Sequence, residues 1–254
     1  MSSREQTLVD CLKQLHLPTV RERYTEEADH SRKESRSYEE YLQSLMEQEL
    51  EERRHRRVAR YLNESKLPLE KTLEAFDRSR LGDVENHKVQ SLLDGKFLGR
   101  NENVLAFGGP GGGKTHLLAA IGIELIYKGY RVRFYTCSLL VQDLLIAKRD
   151  MKLSRLLKRL SKYDALIIDD IGYVQQSREE MEVLFTLLAH RYETGSVMLT
   201  SNLKFSEWEK IFKDPMTTAA AIDRLVHHSV ILELIMPSYR LEESRTGKKR
   251  VETN

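Results

Sequence analysis

Cysteine is nearly absent: the 254 residues hold only Cys11 and Cys137, far apart and without a Cys or His at ligand spacing. That excludes a disulfide framework and a zinc module, and it fits a reducing, cytoplasmic compartment. Proline is scarce, with five in the chain, and between Thr7 and about Asn63 there is one, Pro18, and no glycine. No run approaches the roughly 18 uncharged apolar residues of a membrane span. Met1 to Asp10 lacks the apolar core of a signal peptide, so neither export nor embedding is expected. An excess of one charge is missing too. Lys and Arg number 41 against 39 Asp and Glu, a net charge of +2, which excludes a globally basic, histone-like protein. Nucleic-acid binding would have to come from a local patch. What remains, 40% hydrophobic and 31% charged, is a helix-rich globular chain long enough for one or two domains.

The glycine-free stretch has apolar residues at helical spacing and predicts a small helical domain. Leu8, Cys11, Leu12 and Leu15 mark a first helix that stops near Pro18. Tyr38, Tyr41, Leu42, Leu45, Met46 and Glu49 mark a long second one, capped by Ser37 with Glu40 three residues on. That helix runs from acid (Glu47, Glu49, Glu51, Glu52) to base (Arg53, Arg54, Arg56, Arg57, Arg60), and Glu49–Arg53 and Glu52–Arg56 are i,i+4 pairs. Two readings stand: a solvated face that complements the helix dipole, or an arginine cluster that contacts DNA phosphates. The pattern breaks around Pro68, which places a domain at 1–64 and a linker at 65–76. From there short β-branched runs alternate with helical segments, the signature of a parallel α/β sheet. The runs are Val104–Phe107, Arg131–Tyr135, Ala165–Ile168, Val197–Leu199 and Val230–Leu234; the helical segments are Thr115–Tyr127, Leu139–Leu160 with a break, Arg178–Glu193 and Phe205–Phe212.

Directly after the first run stands Gly108-Gly109-Pro110-Gly111-Gly112-Gly113-Lys114-Thr115, which satisfies G-x-x-x-x-G-K-[ST] between a strand and a helix. Wrapping a triphosphate takes consecutive backbone N–H groups, and a Cβ at Gly111 or Gly113 would obstruct that approach or the positive φ it needs. Lys114 is expected to reach the β- and γ-phosphates and Thr115 to ligate Mg²⁺; His116 completes the expected ATP-binding set. The apolar run 165–168 ends in Asp169-Asp170, a Walker B arrangement, with Asp169 expected on Mg²⁺ and Asp170 orienting the attacking water. One strand further on, Thr200-Ser201-Asn202 offers Asn202 as a polar sensor of the γ-phosphate.

Phosphate loop, Walker acids, strand-terminal Asn and a late Arg follow the order of the AAA+ ATPases. The strings Ile168-Asp169-Asp170-Ile171-Gly172-Tyr173, Arg191-Tyr192-Glu193, Phe205-Ser206-Glu207-Trp208, Ala221-Ile222-Asp223-Arg224-Leu225-Val226-His227-His228 and Ser238-Tyr239-Arg240 resemble the IstB family. These are ATP-binding helpers of insertion-sequence transposases, related to the DnaC helicase loaders and the DnaA initiators. The resemblance spans essentially the whole chain. It implies a P-loop AAA+ domain at 77–242, a parallel five-stranded sheet with flanking helices, beside the all-helical N-terminal domain; 243–254 is a polar tail. It makes Arg224 an arginine finger acting in trans on a neighbouring subunit's γ-phosphate, and Arg240 a second, sensor-like arginine. It implies Phe76 near the adenine, with a core position as the alternative. The family usually has Glu where this chain has Asp170, one methylene shorter, which implies slow hydrolysis. The short stretch after Arg240 gives no expectation of a further helical DNA-binding domain.

Between the second and third runs, residues 148–162 carry seven cations, Lys148, Arg149, Lys152, Arg155, Lys158, Arg159 and Lys162, against one acid. Leu153, Leu156, Leu157 and Leu160 would dock on the core and turn the basic face outward, either simply solvated or on DNA phosphates. His227-His228 lacks a third ligand and reads as a helix end, while Trp208 and Cys137 read as core. The expectation is thus an ATP- and Mg²⁺-dependent ATPase that self-assembles on duplex DNA, with ATP at subunit interfaces, and recruits or stimulates a cognate transposase. Its rivals are a helicase loader on single-stranded DNA and, sharing only the phosphate loop, a small-molecule kinase.

Overall fold

A computed structural model describes residues 3–172, 177–208 and 215–235. The chain divides into two compact units, Met1–Arg60 and Tyr61–Asn254. Tyr173, Ser238, Tyr239, Arg240 and the tail 243–254 lie outside the described residues.

The first unit contains α1 (Ser3–Gln14), α2 (Pro18–Lys33) and most of α3 (Tyr38–Ser65). Pro18 does more than end a helix. It starts α2, a position where its missing N–H costs nothing and its fixed φ suits the first turn. Ser37 and Glu40 form the reciprocal cap of α3, Ser37 N–H donating to Glu40 Oε2 (2.7 Å) and Glu40 N–H to Ser37 Oγ (3.1 Å). Leu12, Val20 and Leu45 make the small core, with Leu17, Tyr24, Tyr41 and Met46 packed around it. Glu49 shares this interior for a polar reason. Its Oε2 accepts from Thr19 N–H (2.8 Å) and Val20 N–H (3.2 Å), capping α2, whose own N-cap, Leu17, has no side-chain acceptor. Arg53 Nε then donates to Glu49 Oε1 (2.8 Å), so one arginine of the basic half is committed to the fold.

The second unit begins with Leu67, Phe76 and Leu81 already buried, because apolar residues in the stretch before the sheet pack against it. Two helices without a clear apolar period, α4 (Asp83–Leu92) and α5 (Lys96–Gly99), lead to β1 (Asn103–Gly108). There follow α6 (Lys114–Tyr127), β2 (Val132–Thr136), α7 (Cys137–Arg149), α8 (Leu153–Leu160), β3 (Ala165–Ile171), α9 (Arg178–Arg191), β4 (Ser196–Ser201), α10 (Pro215–Val226) and β5 (Ser229–Leu234). The strands pair in parallel in the order β2-β3-β4-β1-β5. Both faces are covered, as an all-parallel sheet requires: Ile167 meets α6 at Gly122, while its neighbours Leu166 and Ile168 join the core formed with α7 to α10. Of the expected helix Phe205–Phe212, the structure shows a 3₁₀ turn at Phe205–Glu207. Trp208 closes that turn, buried, with its indole N–H on Leu203 C=O (3.3 Å); residues 209–214 lie outside the described residues.

Candidate nucleotide-binding site

Everything that could hold a nucleotide gathers at the C-terminal ends of β1, β3 and β4, the crevice where open α/β sheets bind ligands. β1 runs out into the glycine loop, which must come back over the sheet without side chains. A Cβ on Gly108 would stand 2.4 Å from Leu234 C=O of β5, and Gly111 (φ +76°) and Gly113 (φ +80°) occupy left-handed backbone. Gly113 then leads into α6, whose first N–H groups and positive dipole end face the loop. Lys114 is buried, its Nζ donating to the carbonyls of Gly108 (2.8 Å) and Gly109 (2.9 Å), so the ammonium lies inside the turn that would wrap phosphate. His116, one residue on, shares a hydrogen bond with Thr72 C=O (2.9 Å) and stands edge-on to Phe76, their ring centres 5.3 Å apart.

Across the crevice Asp169 is buried at the end of β3 and accepts from two hydroxyls on one oxygen, Thr115 Oγ1 (2.9 Å) and Thr200 Oγ1 (2.6 Å). Burial pushes its carboxyl above the usual range and the adjacent Asp170 adds to that; the two hydroxyl bonds pull the other way. The hydroxyl of Thr115 and the carboxylate of Asp169 are hard oxygen donors at the mouth of a phosphate loop, a set that fits Mg²⁺. Asp170 is exposed and takes φ +62°, within a register shift between Ile168 and Ile171. A bulge re-aims a side chain in this way. Its N–H is held by Thr200 Oγ1 (2.8 Å). Thr200, fully buried, thus ties both acids together, whereas Asn202, the residue that the sequence points to, is exposed beyond the end of β4.

The whole chain has relatives. The family model for IstB-like ATP binding proteins matches residues 10–247. The chain belongs to this family. An insertion sequence ATP-binding protein of Sinorhizobium fredii is 42% identical over 94% of this chain and 80% of its own length. One from Geobacillus stearothermophilus is 39% identical over 93% and 94%, and one from Pseudomonas aeruginosa 39% over 94% and 89%. Among solved structures, the DnaC helicase loader matches with a TM-score of 0.55 at 18% identity, over 69% of this chain and 98% of that one. The replication initiator DnaA bound to AMPPCP and single-stranded DNA matches with 0.56 at 19%, over 68% and 52%. The fold is therefore that of the P-loop AAA+ domains.

In this IstB-like chain Arg224 stands at the other end of the sheet. It lies in the last turn of α10, where Asn103, the first residue of β1, donates from Nδ2 to Leu225 C=O (3.1 Å) and accepts Val197 N–H on Oδ1 (2.9 Å). Nη1 of Arg224 donates to Ala220 C=O (3.0 Å) and its guanidinium lies 4.8 Å over the Phe185 ring. β1 separates this corner from the glycine loop, and five steps at strand rise make that roughly 16 Å. The arginine borders a cavity of about 210 Å³ with Arg100, Tyr192 and His228, away from its own phosphate loop. Nearby, the buried Arg191 guanidinium binds the carbonyls of Leu160, Tyr163, Asp164 and Ser196, and burial lowers its pKa to about 10.

The basic segment folds as the heptad-like spacing of its leucines requires. Leu156, Leu157 and Leu160 of α8 are buried, while Arg155, Lys158, Arg159 and Lys162 are exposed, as are Lys148, Arg149 and Lys152 before them. Among the described residues no helix is long and apolar enough to cross a membrane.

Proposed function

We propose that the chain is an ATP- and Mg²⁺-dependent ATPase that assembles side by side on duplex DNA, with ATP between subunits, and there recruits or stimulates a transposase. One observation carries the reading: the phosphate loop and Arg224 occupy opposite ends of the same sheet, so a finger at Arg224 can complete only another copy's site. Kinship with insertion sequence ATP-binding proteins supports the transposition context, and the solvated basic face of α8 supplies sequence-independent phosphate contacts.

Within the site, the loop N–H groups and Lys114 bind and orient the triphosphate. Thr115 and Asp169 would hold Mg²⁺, which when bound neutralises charge on the phosphate oxygens. Asp170 orients the attacking water from its bulge, and its short side chain makes hydrolysis slow. Arg224 of the adjoining copy stabilises charge on the transferred phosphoryl group, a contribution of roughly 10³ to 10⁵ in rate where fingers have been measured.

The test is the mass distribution of the purified chain with and without Mg-ATP, on a duplex or a single strand of equal length, followed by transposase capture. ATP-dependent growth on duplex is the expected result, and Lys158→Glu with Arg159→Glu weakens it and flattens its salt dependence. A monomer that prefers single strands and captures a helicase overturns the proposal.

A further inference from the structure

The corner between α7 and α8 presents an apolar side chain that the fold does not use. α7 closes with two backbone bonds, Lys152 N–H to Ala147 C=O (2.7 Å) and Met151 N–H to Lys148 C=O (3.1 Å). This paired closure puts the residue between them in left-handed backbone, where glycine is favoured because a Cβ is crowded. The residue is Met151, at φ +56°, and 95% of it is exposed. Neither backbone geometry nor packing calls for methionine there. Its surroundings are cationic. Lys148, Arg149, Lys152 and Arg155 are all exposed around it; Lys148 pairs with Glu182 (2.9 Å) and Lys152 with Asp150 (3.2 Å), and among the described residues Arg149 and Arg155 have no ion pair.

A protein surface that covered Met151 would have to desolvate these cations, whereas a duplex offers phosphates to each of them. It also offers, between base steps, an apolar slot that side chains such as methionine and leucine enter. We infer that Met151 is a wedge: the flanking cations seat the corner on a duplex and the thioether side chain inserts from the minor groove, unstacking a base step and bending the DNA. This rests on the duplex-binding reading above and adds the chemistry by which the bound DNA is deformed.

The substitution Met151→Gly separates function from folding, since glycine suits the left-handed position better than methionine and the variant should melt at or above the wild-type temperature. The full chain with Mg-ATP is bound to a duplex carrying 2-aminopurine at spaced positions, whose fluorescence rises when a base unstacks. Wild type and Met151→Leu give the rise; Met151→Gly still binds duplex but loses most of it. A Met151→Gly protein with the full rise overturns the wedge and leaves duplex binding intact. A wild type that binds no duplex overturns both. A Met151→Gly protein that keeps the rise but loses transposase capture reassigns the corner to a protein partner.

Discussion

Replacing Thr200 with valine removes one hydroxyl at nearly constant shape, and the structure says what that hydroxyl holds. It donates to Asp169 Oδ1 at 2.6 Å and accepts Asp170 N–H at 2.8 Å, on a fully buried side chain. A hydrogen bond to a carboxylate contributes about 1.5–3 kcal/mol, and a desolvated N–H left alone costs about 1–3 kcal/mol. Asp170 N–H is only part-buried and water recovers some of its share, so the loss comes to about 3 kcal/mol. For a unit of this size each kcal/mol moves Tm by roughly 2–4 °C, so melting falls by about 6–12 °C. Turnover suffers separately. Thr200 fixes the backbone that aims Asp170, and a displacement of about 1 Å in such a group costs up to about 100-fold. Hydrolysis of Mg-ATP should therefore drop about 10- to 100-fold while nucleotide affinity, carried by the glycine loop, changes little. Thermal melting and phosphate release measure the two effects, and Thr200→Ser, which keeps the hydroxyl, should recover most of both. A Thr200→Val protein that melts and hydrolyses like wild type refutes the reasoning; one that melts early but hydrolyses normally confines Thr200 to a structural role.

The parts of the molecule legible in the sequence are those governed by short-range rules. The central strands β1, β3 and β4 stand out as apolar runs because a parallel sheet buried on both faces leaves no alternation to blur them, whereas the edge strands β2, with Arg133, and β5, with Glu233, are half-buried and legible by their β-branched and aromatic residues. The glycine loop is legible because positions that combine left-handed backbone, as at Gly111 and Gly113, with the close approach of a phosphate favour glycine, and the Ser37–Glu40 cap because its partners are three residues apart. What escaped depends on distant partners. Nothing local marks Glu49 as the cap of a helix that begins thirty residues earlier, and its place in an apolar stripe was the one signal available. Arg191 stood in a family string without a role; only the fold brings four carbonyls around it, and Gly195 is small because a Cβ there would meet Arg191 Nη2 at 2.6 Å. Thr200 belongs to the Thr-Ser-Asn run, but strand alternation alone does not say which of the three side chains turns toward β3. α4 escapes because its buried apolar positions, Val89 and Leu92, are too few to set a period and its third, Val84, is exposed.

Two further perturbations probe the ends of the chain's logic. Asn103→Asp keeps the acceptor for Val197 N–H but turns an anion toward the carbonyl of Leu225, loosening the turn that bears Arg224. ATP affinity should persist while hydrolysis falls at least about 10-fold, given what a finger contributes. Mixing with Asp170→Asn subunits, whose own site is disabled but whose Arg224 is intact, should restore activity, as it should for Arg224→Ala; no recovery for Asn103→Asp when Arg224→Ala recovers refutes its positioning role. Glu49→Gln tests the first unit through pH. Burial opposes ionisation of Glu49, but the Arg53 bond and the N–H groups of Val20 and Thr19 outweigh it and hold the carboxyl below the ordinary glutamate range. A carboxyl whose pKa is lowered by folding stabilises the fold at neutral pH and loses that contribution as pH falls through the folded value. Glutamine keeps one acceptor oxygen, so either the α2 cap or the Arg53 bond loses its acceptor and the other loses its charge assistance; this should cost the unit about 2–3 kcal/mol at neutral pH. Amide exchange at Thr19 and Val20 should accelerate in Glu49→Gln, and the gap from wild type should close below the ordinary glutamate range, where wild type protonates as well. A gap that stays constant through that range would mean that the charge of Glu49 contributes nothing, and that shape alone seats α2 on α3.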